Sequence, residues 1–140
     1  MNPARFEILE HPADVGLAAY GSNFAEAFTQ AALGLINLLT DPATVRPQQA
    51  VGVEVESEDR ETLLVKWLNE ILFYFDAKSF IPSRFEIEEL TERRLRGRMW
   101  GEEIDPARHE FRLDVKAVTY HQLQVEETEK GVRVQVFFDI

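Results

Sequence analysis

The sequence predicts an α+β fold of two layers, a mainly antiparallel sheet with two amphipathic helices packed on it. Two segments carry apolar residues at steps of three and four, and most of the remaining chain alternates apolar with polar residues. The alternating segments are wet on one side, which favours an antiparallel sheet over a parallel sheet covered on both faces. The 140 residues form one domain, 1–140, because no repeat, low-complexity tract or linker rich in Gly, Pro or Ser divides them.

In chain order, Arg5–Leu9 reads as a strand, "HPADVG" as a proline-containing turn, and Val15–Tyr20 as a second strand. From Ser22, "SNFAEAFTQAALGLINLL" places Phe24, Phe28, Ala31, Leu35 and Leu38 on one helical face, with Asn23 and Glu26 at capping-box spacing. "DPATVRP" stops that helix, since Pro42 biases Asp41 away from helical geometry and Pro47 prevents a quick restart. Val51–Glu56 is a strand in which Val51, Val53 and Val55 point one way.

The second helix, "DRETLLVKWLNEILFYFD", takes Asp59 as N-cap and carries a broad apolar face of Leu63, Leu64, Trp67, Leu68, Ile71, Leu72 and Phe75. That face is read as core packing, not as a ligand site. "FDAKSFIPS" follows as a loop. The remaining strands are Arg84–Glu89, Arg93–Trp100, Glu110–Tyr120, Leu123–Glu127 and Val132–Phe138.

Fifteen basic against twenty-five acidic side chains leave a net charge of −10, so the field of the molecule repels a phosphate backbone and direct nucleic-acid binding is not expected. The absence of cysteine excludes disulfides, thiolate-bound zinc and a thiol nucleophile. "MNPARFEILE" has no leader pattern, and no apolar run is long enough to span a bilayer; a cytoplasmic location without membrane attachment is the expectation.

His11, His109 and His121 stand apart, with no Ser–His–Asp order, phosphate-cradling glycine loop or zinc-ligand spacing, and each is read as structural. The carboxylates say more. The apolar run Val132, Val134, Val136 leads directly into Asp139 and Ile140, and Asp14 stands at the entrance to another strand. If those strands are neighbours, the two acids converge, and such a pair calls for a cation or a shared proton. With carboxylate, main-chain or terminal oxygens and water as donors, the fitting ion is hard, calcium or magnesium. The alternative is a solubilising Asp at an exposed chain end.

A second group, "RMWGEEIDPARHEF", holds Glu102, Glu103, Asp105 and His109. In the strand that follows, Lys116 shares a side with Val118 and Tyr120, either as a lysine snorkelling from a strand edge or as a cation beside the acids.

Taken together, "HPADVG", "FAEAFTQAALGL", "LLVKWLNEILFYFD", "GEEIDPARHEF", "DVKAVTYHQLQV" and the final "FDI" resemble the archease family in order and spacing across the whole chain. The resemblance implies a non-enzymatic activator of an RtcB-type RNA ligase in tRNA splicing and RNA repair, one that promotes guanylylation of the ligase and its multiple turnover. It implies a divalent cation, calcium by the family pattern, on Asp14, Asp139 and Ile140. Lys116, Glu102 and His109 lie in matching blocks and are carried over as contact residues for the partner. The family pattern has threonine where this chain has Pro12, so a hydroxyl contact is lost there. The competing readings are a metal-dependent phosphoesterase and a chaperone or modulator of tRNA-modifying enzymes.

Overall fold

The structure, a computed structural model, describes residues 5–10 and 14–140. Among them the order is β1 (Arg5–Glu10), β2 (Asp14–Gly21), α1 (Phe24–Leu39), a 3-10 turn (Pro42–Thr44), β3 (Gln49–Glu56), α2 (Arg60–Lys78), β4 (Phe80–Leu90), β5 (Arg94–Glu103), β6 (Ala117–Thr128) and β7 (Gly131–Asp139). The α+β class, the antiparallel pairing and the two helices are those the sequence predicts. The strands are shared between two sheets, one ordered β1-β2-β7-β6 and the other β3-β5-β4. Each helix touches strands of both sheets.

Alternation decides which side of each strand is dry. Val15, Leu17 and Ala19 of β2 and Val132, Val134, Val136 and Phe138 of β7 are buried in the common core. In the other sheet Val53, Leu95 and Met99 are buried, while Arg94, Arg96 and Arg98 lie outward and pair with Glu54, Glu88 and Glu89. Exposed pairs of this kind stabilise little and chiefly mark the wet face.

Asn23 caps α1 by accepting the Glu26 N–H at 2.8 Å, as the spacing predicts, and the Glu26 carboxylate reaches back one residue further than in a regular capping box, to accept the Ser22 N–H. Phe28, Ala31, Ala32, Leu35 and Ile36 are completely buried, so α1 is covered on more than one side. Asp59 caps α2 by accepting the Thr62 N–H at 2.8 Å. Trp67 then links three elements: its indole N–H donates to the Phe28 carbonyl at 3.0 Å, and its ring meets Phe85 of β4 edge-on with centroids 5.8 Å apart.

Three expectations need correction. The "FDAKSFIPS" loop shrinks to Ser79 alone, because α2 continues to Lys78 and Ser79 adopts φ 51°, a left-handed helix end that lets β4 begin at Phe80. The strand predicted at Glu110–Tyr120 is not one strand. Its first part belongs to an irregular strap, residues 104–116, whose Arg112 and Leu113 N–H groups donate to the Leu39 and Leu38 carbonyls at 2.9 and 3.2 Å. The last turn of a helix leaves carbonyls without helical partners, and the strap supplies donors to two of them, so its extended backbone bonds to a helix end instead of a sheet. Finally, the rest of that segment and the predicted Leu123–Glu127 strand are one strand, β6, interrupted where residues 120–123 face Val136 alone. No helix among the described residues is long and apolar enough to cross a membrane.

The carboxylate end of the four-stranded sheet

β2 and β7 run antiparallel side by side, and their register pairs Asp14 directly with Asp139. Side chains of opposed residues in an antiparallel pair stand on the same face with Cβ atoms about 5 Å apart. The juxtaposition imagined from the sequence is thus present in the backbone. The next strand completes the row: Ala117 of β6 pairs with Asp139, and the Lys116 N–H donates to the Asp139 carbonyl at 2.8 Å.

Val15 and Phe138, one step along, are buried in the core, so Asp14 and Asp139 occupy the opposite, outer face of the sheet. Asp14 is half-buried, whereas Asp139 and Ile140 are exposed. Gly16 and Phe137 form the next row on that face. A Cβ on Gly16 would stand 2.7 Å from the Phe137 ring, so glycine is what lets this ring lie over the neighbouring strand. Phe137 is buried although it faces away from the helices.

The donor set at this end consists of hard oxygens, from two facing carboxylates and residue Ile140. Facing carboxylates repel, and a cation between them relieves that repulsion. Such oxygen donors fit a calcium-type ion better than a soft metal. Among the described residues no group of three or more His, Cys, Asp and Glu side chains gathers in one place. Main-chain oxygens and water would therefore complete the coordination. His11 and Pro12, which the sequence places on the approach to Asp14, lie outside the described residues.

Lys116 is exposed between buried Val115 and Val118, at the point where the strap becomes β6. It does not share a strand side with Val118 and Tyr120 as the sequence suggested, because β6 starts only at Ala117. The hydrogen bond from its N–H to the Asp139 carbonyl nonetheless sets it beside the carboxylate end.

Glu102 and His109 are placed differently. Both are buried, at 5% and 2% exposure, in a closed set of hydrogen bonds. Glu102 accepts from Arg108 Nη1 and Nη2 at 2.8 and 2.7 Å and from the Arg46 N–H at 2.8 Å. His109 Nδ1 accepts the Asp105 N–H at 2.9 Å, which leaves the hydrogen on Nε2, 2.9 Å from Glu102. The Arg108 guanidinium holds the Glu102 carboxyl down at about 2, with help from the Arg46 amide and His109, against the upward push of burial. Glu102 and His109 thus fasten the strap from inside and offer little exposed surface. Arg108 and Arg46, which complete the set, escaped sequence reasoning, although Arg108 stands six residues from Glu102 within one quoted motif.

Comparison with known proteins finds relatives that match nearly the whole chain. Residues 6–140 match the model of the Archease protein family (MTH1598/TM1083). The chain is 40% identical over 124 residues to the protein archease of Sulfurisphaera tokodaii, covering 87% of this chain and 88% of that one. It is 38% identical over 140 residues to the protein archease of Methanosarcina acetivorans, covering 97% and 96%. The solution structure of Methanobacterium thermoautotrophicum protein 1598 superposes with a TM-score of 0.81 at 35% identity, covering 96% of this chain and 98% of that one. A Thermotoga maritima archease, described as a possible chaperone, shares the fold with a TM-score of 0.63 at 20% identity and 96% coverage of each chain. The shared fold, the matched length and the identity with several archeases lead to one conclusion: this chain belongs to the archease family.

Proposed function

We propose that this protein is a non-catalytic activator of an RtcB-type RNA ligase, acting through the carboxylate end of its four-stranded sheet. The observation that supports this most is the direct cross-strand pairing of Asp14 with Asp139 on an outer face, beside Ile140 and Lys116. It puts Asp14 and Asp139, two of the residues that the family resemblance singles out, side by side, with Ile140 next in the chain. Asp14, Asp139 and Ile140 would hold a divalent cation, calcium by the family pattern. When bound, the ion supplies a positive centre with room for a further oxygen ligand.

The chain's own residues do the rest. Asp14 and Asp139 present two fixed carboxylates on rigid strands, and the Lys116 amide pins the main chain at Asp139. The exposed Lys116 side chain adds a cation next to them. A molecule with net charge −10 is poorly suited to gripping RNA and well suited to meeting a basic, RNA-handling surface. The ligase makes the bonds, and this protein alters the geometry or metal loading of its nucleotide site.

The test follows ligase guanylylation and repeated ligation with and without this protein. Stimulation by the wild-type chain that falls in Asp14→Asn and Asp139→Asn, with both variants folded, supports the reading. Full stimulation by both variants removes the role of the carboxylate end. The possible-chaperone description of the Thermotoga relative favours a second reading, in which the ligase is merely kept folded. Under that reading the protein raises the yield of active ligase without changing guanylylation per active molecule. Phosphodiesterase turnover by the isolated protein, lost in Asp14→Asn, would point instead to a metal-dependent phosphoesterase.

A further inference from the structure

We propose that Arg112 is a positioning residue for the carboxylate end: hooked onto the last turn of α1, it holds the strap so that the Lys116 N–H meets the Asp139 carbonyl and the site keeps its affinity for a cation. This inference rests on the cation-binding reading above and names a residue, remote from the ligands, that sets how well they are held. The end of β7 is secured from two sides. β2 pairs Asp14 with Asp139, and β6 pairs Ala117 with Asp139. One bond more, from the Lys116 N–H to the Asp139 carbonyl at 2.8 Å, fixes the last peptide before Ile140. Its donor lies outside the ladder, since β6 starts only at Ala117, and is carried by the strap. Whatever fixes the strap therefore fixes this peptide.

The strap is fastened at the C-terminal end of α1. Besides the Arg112 and Leu113 amides on the Leu39 and Leu38 carbonyls, the Thr40 hydroxyl donates to the Glu110 carbonyl at 2.5 Å. Arg112 adds the only side-chain donor from the strap to this helix end among the described residues. Its Nη1 donates to the Asn37 carbonyl at 2.9 Å and to Asn37 Oδ1 at 3.0 Å. The carbonyl end of a helix carries partial negative charge and favours a cation. The last turn of α1 has no basic residue of its own, and the Arg112 guanidinium takes that place from 75 residues away. It thereby answers both the charge of the helix end and its need for hydrogen-bond donors.

The path from this hook to the site is short. Only Asp114 and Val115 stand between Leu113 and Lys116, and three residue steps span at most about 11 Å. So few residues cannot absorb a displacement in a loop of their own, and release of Arg112 reaches Lys116 unless the buried Val115 alone arrests it. Without the Lys116 bond, the peptide between Asp139 and Ile140 is left unfastened beyond the ladder. Two carboxylates do not fill the coordination of a calcium-type ion, which takes six to eight oxygens, so the order of the neighbouring main chain bears directly on affinity.

The experiment compares the full chain as wild type, Arg112→Met and Arg112→Lys, reading calcium Kd by calorimetry and amide hydrogen exchange by NMR. Arg112→Met is expected to raise the calcium Kd at least about fivefold and to speed exchange at Lys116 at least about tenfold, with the strand amides of Leu17 and Val134 unchanged. Arg112→Lys, which keeps a cationic donor at the helix end, should stay within about threefold of wild type in both readouts. Asn37→Ala removes only the Oδ1 acceptor and is the milder variant; it should move both readouts in the direction of Arg112→Met. Unchanged exchange at Lys116 in Arg112→Met, beside a wild-type chain that binds calcium, means that Val115 holds the strap alone and overturns the proposal. Faster exchange at Lys116 with an unaltered calcium Kd overturns it as well. Faster exchange at Leu17 and Val134 too, in Arg112→Met and Asn37→Ala alike, makes Arg112 a general stabilising residue and also overturns it. A wild-type chain that binds no calcium overturns the cation reading and this inference with it.

Discussion

Asp14 and Asp139 show how much can be inferred about one side chain before its neighbours are known. Each was marked by an acid placed against an apolar run, and the register of β2 and β7 makes them direct partners. Like charges directly opposed on a sheet are destabilising, by up to about 1 kcal/mol. Asp139→Asn should therefore melt no lower than wild type in cation-free buffer, and calcium should raise the melting temperature of wild type but not of the variant. An equal calcium-dependent rise in both would show that this pair is not the ligand. Glu102 was legible as an acid in a motif, but its role was not, because its partners Arg108 and Arg46 come together only in three dimensions. Its carboxyl is held at about 2 from an ordinary 4.5, so the stability it contributes is present above pH 4.5 and is lost as pH falls toward 2. Glu102→Gln should destabilise by about 3 kcal/mol at pH 7, by leaving buried donors poorly matched, and the gap from wild type should narrow at pH 3 in denaturant titrations. A gap of constant size would mean that the Glu102 charge is not what fastens the strap.

The helices were the most readable elements, since caps and apolar period are written locally. Asn23 and Asp59 both accept the amide three residues on, as their spacing predicts. Asn23→Ala should cost about 1 kcal/mol, seen as a lower denaturation midpoint with an unchanged slope; no loss would mean that the box contributes nothing to α1. The segment from Glu110 to Tyr120 was harder. Its alternation of apolar and polar residues is real, but alternation reports an extended backbone and not the identity of its hydrogen-bond partners. Residues 111–113 are extended against the end of α1, and strand pairing starts at Ala117. The gap left in the sequence reading between Tyr120 and Leu123 coincides with the bulge. A break in alternation was visible, whereas its folding back over Phe137 and Gln135 was not.

For the molecule as a whole, the governing quantity is the charge of −10, with the carboxylate end adding two acids to one corner. Association with a basic partner should be steered by this field, so its rate should fall steeply as ionic strength rises from about 0.05 to 0.3 M, while dissociation changes less. Stopped-flow binding to the ligase reads this directly, and an on-rate indifferent to salt would remove charge complementarity from the account. The whole-molecule architecture also departs from a single sheet backed by helices. The strands divide into two sheets, each helix touches both, and Phe28, Leu35 and Ile36 of α1 are wholly enclosed between them.

By itself the sequence determined the fold class, both helix caps, most strands, the family and the two acids worth watching, since all of these are expressed in residue type and short-range period. Only the tertiary structure decided that Asp14 and Asp139 face each other, that Glu102 and His109 are internal fasteners, and that β6 loses its register with β7 between Thr119 and Gln124. Those facts depend on which distant segments share hydrogen bonds. Pairing between remote strands is selected by the free energy of the whole packed core, and no local stretch of residues encodes it.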